Sequence, residues 1–233
     1  EGTATFMILG NICTRSCGFC GVKTGRPGNV DWKEPEKVAQ SIKIMKIKHA
    51  VITSVDRDDL KDMGSIIWNE TIKAVRRLNP NTTLETLIPD FQGNKTNIDR
   101  IVKAAPEVVS HNLETVRRLT REVRVQAKYD QSLDVLSYLK KSGVNRTKSG
   151  IMLGLGETED EVFETLHDLR NAKVEVITIG QYLQPSKKHL PVKSFITPET
   201  FQKYEAVAND LGFRYVESGP LVRSSYKAQK HVH

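Results

Sequence analysis

One rhythm constrains the fold of this chain more than any other feature. A short apolar run of strand type, a polar loop and a stretch with apolar residues at helical spacing recur six times along 233 residues. The strand-type runs are Thr3–Leu9, Ala50–Ser54, Thr83–Ile88, Glu107–His111, Ser149–Leu153 and Val174–Gly180. Helical spacing follows each: Val38, Ile42 and Met45 within Glu36–Lys48, then Ser65–Leu78, then Ile98, Ile101 and Val102, then Leu133, Leu136 and Leu139. The fifth helix opens with the capping-box pattern Thr158-Glu159-Asp160-Glu161 and continues through Val162, Leu166 and Leu169. The sixth spans Pro198–Leu211, with Thr197 placed as its cap and Pro198 in its first turn. Arg214–Glu217 reads as a weak seventh strand. Strands alternating with helices imply βαβ units and a parallel sheet. Six units fall short of the eight of a closed barrel, so the expected fold is α/β, a partial (β/α)6 barrel with its active site at the C-terminal ends of the strands. A doubly wound sheet is the alternative. The chain reads as one domain, with the barrel over 1–212 and a C-terminal extension over 213–233.

Composition narrows the class. Hydrophobic residues make up 38% and charged residues 27%, an ordinary globular mixture. No apolar run approaches the roughly 20 residues a membrane helix needs, so no membrane role is expected. The net charge of +7 suits an acidic partner, but the charges are scattered, so nucleic acid is not expected. Only three Cys occur, all between positions 13 and 20. That rules out a disulfide framework and points to a reducing compartment, with the cytoplasm as the expected location. The chain opens on Glu1 rather than Met and shows no leader, which reads as a fragment of a longer chain whose upstream part could have carried a targeting peptide.

The loops after the six strands are GNICTRSCGFC, VDRDD, PDFQG, NLET, GLGE and QYLQPS, each polar, Gly-rich or cysteine-bearing. One end of the sheet therefore carries the chemistry. The strongest signal is Cys13-Thr14-Arg15-Ser16-Cys17-Gly18-Phe19-Cys20, a C-x3-C-x2-C spacing. Three thiolates this close can wrap one metal centre, and soft sulfur favours zinc or iron–sulfur. A structural zinc site needs a fourth ligand, and no His or Cys follows nearby. An iron–sulfur cubane on three Cys keeps one iron free for a small chelating molecule. Thr14, Arg15 and Ser16 make the loop a poor apolar core segment, which counts against three inert buried thiols.

In the second loop, Ser54-Val55-Asp56-Arg57-Asp58-Asp59 places three carboxylates around Arg57. An acidic turn ahead of a helix and a metal or acid–base site are both open readings. In His111-Asn112-Leu113-Glu114-Thr115, Asn112 either caps a helix or points with Glu114 into the mouth, while His111 reads as a structural, hydrogen-bonded residue. Gly154-Leu155-Gly156-Glu157 lacks the third glycine of a dinucleotide fingerprint and reads as a strand-to-helix turn or a close approach to a cofactor. Gln181–Ser186 with Lys187, Lys188 and His189 is a surface turn or a partner contact. By composition alone, Arg223-Ser224-Ser225-Tyr226 is an unremarkable surface strip.

The cysteine spacing resembles the cluster motif of the radical S-adenosylmethionine (SAM) superfamily. With Val22-Lys23-Thr24, TSVDRDDL, PDFQG, HNLET, TKSGIMLGLGET, GQYLQPSKKHLPV and GPLVRSSYKA in order over nearly the whole chain, the sequence resembles the lipoyl synthase family. The resemblance implies two [4Fe–4S] clusters. Cys13, Cys17 and Cys20 hold the one that binds SAM and cleaves it reductively to a 5′-deoxyadenosyl radical. Ser54, Asp56, Asn112 and Glu114 are expected to line the SAM site. The substrate implied is an octanoyl chain amide-linked to a lysine of a lipoyl carrier domain or of the glycine cleavage carrier protein, with sulfur inserted at C6 and C8. A second, auxiliary cluster is the sulfur donor; its three cysteines lie upstream of the segment matching Gly2-Thr3-Ala4-Thr5, and its fourth ligand is Ser225, with Ser224 next. An electron donor such as ferredoxin or flavodoxin is implied as well.

Two departures stand out. The upstream cysteines are absent from this chain, which is therefore expected to hold at most one cluster, and to cleave SAM without inserting sulfur. Asp62-Met63-Gly64 stands where the family usually has Asp-Gly-Gly, so Met63 is expected to narrow the loop beside the SAM site. Two alternatives remain at this point: a radical SAM enzyme with another substrate, and a noncatalytic zinc module that recruits an acidic partner.

Overall fold

The computed structural model describes residues 2–232. Seven parallel strands form its main sheet: β1 (Thr3–Ile8), β2 (His49–Ser54), β3 (Thr83–Leu87), β4 (Val108–Ser110), β5 (Arg146–Leu153), β6 (Val176–Gln181) and β7 (Tyr215–Gly219). Between them run α1 (Glu34–Met45), α2 (Ser65–Leu78), α3 (Lys95–Ala104), α4 (Tyr129–Lys141), α5 (Glu159–Asn171) and α6 (Pro198–Asp210). The strands lie side by side in chain order, from β1 at one edge to β7 at the other. A doubly wound sheet reverses its strand order at a switch point. This one never does, so the fold is the partial barrel, with an open seam between β1 and β7.

Local chemistry explains most element ends. Lys46 takes a left-handed conformation (φ 52°) and closes α1, its N–H reaching back to Ile42 and Lys43. Thr158 caps α5 in a full capping box with Glu161, and Thr197 caps α6 ahead of Pro198. Asn94, not singled out from the sequence, caps α3 by accepting from Asn97 N–H. The expected boundaries shift by a residue or two, as at α1, which starts on Glu34 ahead of Pro35. The larger difference is β5, which begins at Arg146 rather than Ser149. Arg146 and Lys148 look like loop residues in isolation, yet both are buried and paired.

Apolar burial splits into two clusters. One joins Ile8, Ile52 and Leu84 of the first strands to Trp68 and Ile72 of α2. The other joins Ile151, Ile177 and Ile179 to Leu166 and Leu169 of α5 and Phe201 of α6. Together they hold the helices on the outer face and leave the inner face for polar groups. No described helix is long and apolar enough to cross a membrane.

Met63 has φ 51° and packs at the edge of the first cluster, lining neither cleft described below. The expected narrowing of the site by Met63 is therefore not seen. Its position explains the glycine usual there: a left-handed conformation costs a side-chain-bearing residue roughly 1–2 kcal/mol.

Candidate functional site

The loop after β1 folds over the C-terminal ends of the strands. A two-residue parallel pair, Ile12–Cys13 with Lys23–Thr24, closes its base. Inside it Cys20 N–H donates to the Cys17 carbonyl at 3.1 Å, and Gly18 N–H donates to Val123. Cys13, Cys17 and Cys20 are all partly exposed and all line one cleft of about 270 Å³. Cys13 Sγ accepts backbone N–H groups of Arg15 (3.4 Å) and Asp56 (3.3 Å). Such bonds stabilise sulfur when it carries charge.

The loop is pinned through Arg15. Its guanidinium is buried and forks onto two carboxylates: Asp58 at 2.8 and 2.9 Å, and Asp90 at 2.7 and 2.9 Å. Asp56 stands 3.3 Å from Arg15 Nε. The sequence reading grouped the acidic loop around Arg57. In the structure Arg57 takes only Asp59 and the Gly28 carbonyl, while Asp56 and Asp58 turn to Arg15. Local spacing favoured the near arginine; the fold supplied a far one. Sequence reasoning missed Arg15 and Asp90 as a pair, although both lie in segments it had flagged.

The four residues expected to line the SAM site come together. Ser54, Asp56, Asn112 and Glu114 all line the cysteine cleft. Ser54 Oγ accepts Trp68 Nε1–H at 3.2 Å. Asn112 is buried, caps no helix, and its Oδ1 has no partner. Glu114 holds a left-handed backbone (φ 69°) and bridges to Ile151 of β5, which brings it to the rim of the cleft. His111 is the structural residue expected: Nδ1 meets the Ile88 carbonyl and Nε2 meets Ser132 Oγ, both at 2.9 Å. Burial, with Arg124 adding to it, pushes its pKa down to about 4.

The electrostatics are one-sided. Burial opposes ionisation of Asp58 and Asp90, but Arg15 outweighs it and holds both below the usual carboxylate range. Burial pushes Asp56 up to about 6 against the pull of Arg15, with Asp90 and Asp58 adding to the rise. Burial likewise raises Glu114, against Arg124. It raises Cys13 and Cys20, and pushes Cys17 up to about 12 even though Arg124 opposes it. Thiols, carboxylates and an unpartnered amide oxygen thus face a cleft whose two arginines, Arg15 and Arg124, are already engaged by protein partners.

This donor set fits what the cysteine spacing suggested. A cationic iron centre lowers the thiol pKa values that burial has raised. Among the described residues, no group of three or more His, Cys, Asp or Glu side chains is drawn tightly enough around one point to hold a single metal ion. The thiols instead line a space sized for something larger. A molecule that brings an ammonium, hydroxyls and an exocyclic amine would satisfy Asp56, Glu114 and Asn112 Oδ1.

A second cleft of about 260 Å³ adjoins the first across Phe19, Leu87, Asn112 and Glu114. Gly150, Thr178 and Gly180 form part of its wall, together with Val222, Arg223 and Ser224. Ser224 therefore lines this cleft; Ser225 is not among its lining residues. Gly154 and Leu155 donate their N–H groups to Glu157, which makes GLGE a braced strand-to-helix turn. Gln181 and Tyr182 are buried rather than on a solvated turn, and beyond them His189 Nε2 donates to the Cys20 carbonyl at 3.0 Å. That bond sets Lys187 and Lys188, both exposed, beside the cysteine loop.

Comparison with known proteins agrees with this geometry. The model of the Radical SAM superfamily matches residues 7–169. Lipoyl synthase of Flavobacterium johnsoniae is 81% identical over 232 residues, a match covering 100% of this chain and 81% of the relative. The mitochondrial lipoyl synthase of Nematostella vectensis is 78% identical over 233 residues, covering 100% of this chain and 80% of the relative. Among solved structures, the FeFe-hydrogenase maturase HydG from Carboxydothermus hydrogenoformans superposes with a TM-score of 0.73 at 14% identity, over 99% of this chain and 65% of that one. Methylornithine synthase (PylB) gives 0.66 at 12% identity, over 91% and 70%. At such identities the structures speak for the fold, and the sequence relatives for the family. The partial barrel, the cysteine loop at its mouth and identity along the whole chain converge: this chain belongs to the lipoyl synthase family of the radical SAM superfamily.

Proposed function

We propose that this chain is the radical SAM barrel of an enzyme that completes the lipoyl cofactor in place, inserting sulfur at C6 and C8 of an octanoyl chain amide-linked to a lysine of a lipoyl carrier domain or of the glycine cleavage carrier protein. The observation that carries the reading is the acceptor-rich cleft with all three cysteines on its wall. Cys13, Cys17 and Cys20 hold a [4Fe–4S] cluster there. When bound, that cluster supplies the electron for reductive cleavage of SAM, whose 5′-deoxyadenosyl radical takes hydrogen from the octanoyl chain. Asp56 and Glu114 accept from the ammonium and hydroxyl groups of SAM, and Asn112 Oδ1 gains the donor it lacks. Ser54 contributes to the wall. Phe19 and Leu87, shared by both clefts, give an alkyl chain an apolar path between them.

A second, auxiliary [4Fe–4S] cluster is the sulfur source in this reading. Its ligand from this chain is sought at Ser225 first and Ser224 second. Ser224 is the one that lines the cleft, so single alanine substitutions at the two decide between them. Lys187 and Lys188 form the rim on which an acidic carrier domain docks, and a ferredoxin or flavodoxin delivers electrons.

The test is anaerobic reconstitution with iron and sulfide, followed by SAM, a low-potential reductant and an octanoylated carrier domain. This chain is compared with one extended by the cysteine-bearing segment that the resemblance places upstream of Gly2. The expected result is 5′-deoxyadenosine from both and lipoyl product from the extended chain. No 5′-deoxyadenosine from either overturns the SAM-cleavage reading. Lipoyl product from the unextended chain, with iron for one cluster only, overturns the sulfur-donor reading.

A further inference from the structure

The far end of the barrel carries a buried polar cluster with no part in the chemistry above. Lys148 of β5 is fully buried and meets Glu85 of β3, also fully buried, at 2.9 Å. Ser110 of β4 donates to the same carboxylate at 2.7 Å. His231 is the last member. It comes from a short 3-10 helix, Ala228–Val232, near the end of the chain, and is itself fully buried. Its Nδ1 lies 3.3 Å from Lys148 Nζ, and Arg146 Nε donates to its carbonyl at 3.2 Å. The Tyr215 ring of β7 packs at 5.6 Å from its imidazole. Burial, with Lys148 next, pushes the His231 pKa down to about 3, so the ring is neutral and accepts from the ammonium.

The segment that ends in His231 begins in the wall of the second cleft. Val222 lies so close to β6 that a Cβ on Gly180 would fall 2.2 Å from the Val222 carbonyl oxygen. Between these ends the segment is tied to both edges of the open sheet. Lys227 pairs with Glu217 of β7 at 3.1 Å, and Gln229 accepts from Thr3 Oγ1 of β1 at 3.2 Å. The seam has no strand-to-strand hydrogen bonds, and this segment crosses it instead. β5 links the two ends, because Lys148 lies two residues from Gly150 on the same face, and Gly150 lines the cleft.

We propose that residues 222–232 form a strap that closes the barrel seam, and that His231, seated on Lys148, is a positioning residue that fixes Val222 and Ser224 in the cleft wall. His231 touches no reacting group; it acts along the strap. A buried acceptor opposite a buried ammonium is costly to lose, and with Ala228 fully buried beside it this end anchors the strap. The consequence for product formation rests on the function proposed above; the consequence for strap mobility does not.

The test uses the chain extended upstream of Gly2, as above, with His231→Ala, His231→Gln, Thr3→Val and Lys227→Met. Amide hydrogen exchange is read over 222–226, and lipoyl product is read per 5′-deoxyadenosine formed. In His231→Ala, exchange over 222–226 should quicken by about tenfold or more, and the product ratio should fall. His231→Gln, which keeps an acceptor, should recover part of both. Thr3→Val and Lys227→Met should quicken exchange to a smaller degree, and they decide the matter if His231→Ala does not fold. Unchanged exchange over 222–226 in the variants that fold overturns the strap. Faster exchange with an unchanged ratio overturns the positioning role, as does a fall in SAM cleavage that matches the fall in product. An extended wild-type chain that makes no product overturns the function reading, and the exchange result then stands alone on the strap.

Discussion

The two ends of the barrel both bury charge, and they do so differently. At the mouth two guanidiniums, Arg15 and Arg124, face the four carboxylates of Asp56, Asp58, Asp90 and Glu114, and three thiols and Asn112 Oδ1 add further acceptors. At the floor, Lys148 faces Glu85 and Arg146 faces Glu175, with Ser110 and His231 occupying remaining positions; one imidazole nitrogen each of His49 and His231 stays unpartnered. Charge balanced within the protein needs nothing from outside and serves architecture. Surplus acceptors around an open cleft describe the visitor: something cationic and rich in donors.

The largest expected effect breaks the mouth. Cys17→Ala leaves a cluster with two protein ligands on this loop, so bound iron and sulfide and 5′-deoxyadenosine formation should all fall to background; near-normal values for either would remove the assignment of this loop. Next comes the floor. Lys148→Met strands a buried carboxylate and should cost about 3–5 kcal/mol in urea unfolding, while Lys148→Met/Glu85→Leu should regain much of it. A single variant that costs less than about 1 kcal/mol would mean the floor is not the matched structural pair drawn here.

A smaller effect comes from His231. Its pKa in the folded chain, about 3, lies below the ordinary 6.5, so the unfolded chain binds the proton first. Its contribution to stability is complete above about pH 6.5 and is lost as the pH falls toward about 3. Lys148, His49, Arg146 and Lys230 face it with positive or titratable charge, and Glu85 lies behind Lys148. Between about pH 7 and pH 5, wild type should lose more unfolding free energy than His231→Gln; equal losses would show that the floor does not hold a neutral imidazole. The smallest effect is at the rim. Lys187→Glu/Lys188→Glu should slow association with an acidic octanoylated carrier by up to about tenfold, and added salt should erase the difference. Binding indifferent to both would move docking to another face.

Much of the barrel was legible locally. The Ser65–Leu78 helix and the Thr158 and Thr197 caps follow from spacing and side chains within a few residues of each other. So did the convergence of Ser54, Asp56, Asn112 and Glu114, because strands of a parallel barrel deliver their C-terminal loops to one end. The failures share a cause. Arg146–Lys148 fell outside the expected fifth strand because charge argues against burial until partners are found. The acidic loop was assigned to Arg57 because Arg57 is adjacent. Ala228 and His231, beyond the Arg223–Tyr226 strip, were not singled out, yet both are fully buried.

By itself, then, the sequence determined the alternation that makes a partial barrel, the end of it that carries chemistry, and the three-cysteine loop that marks the family. Those features rest on periods and spacings of a few residues, which the chain's own stereochemistry enforces. The tertiary structure alone decided which charges neutralise each other. Arg15 and Asp90 are 75 positions apart, and Lys148 and His231 are 83 apart. An ion pair is strong only where water is excluded, and which distant groups share such a place depends on how the strands close around them.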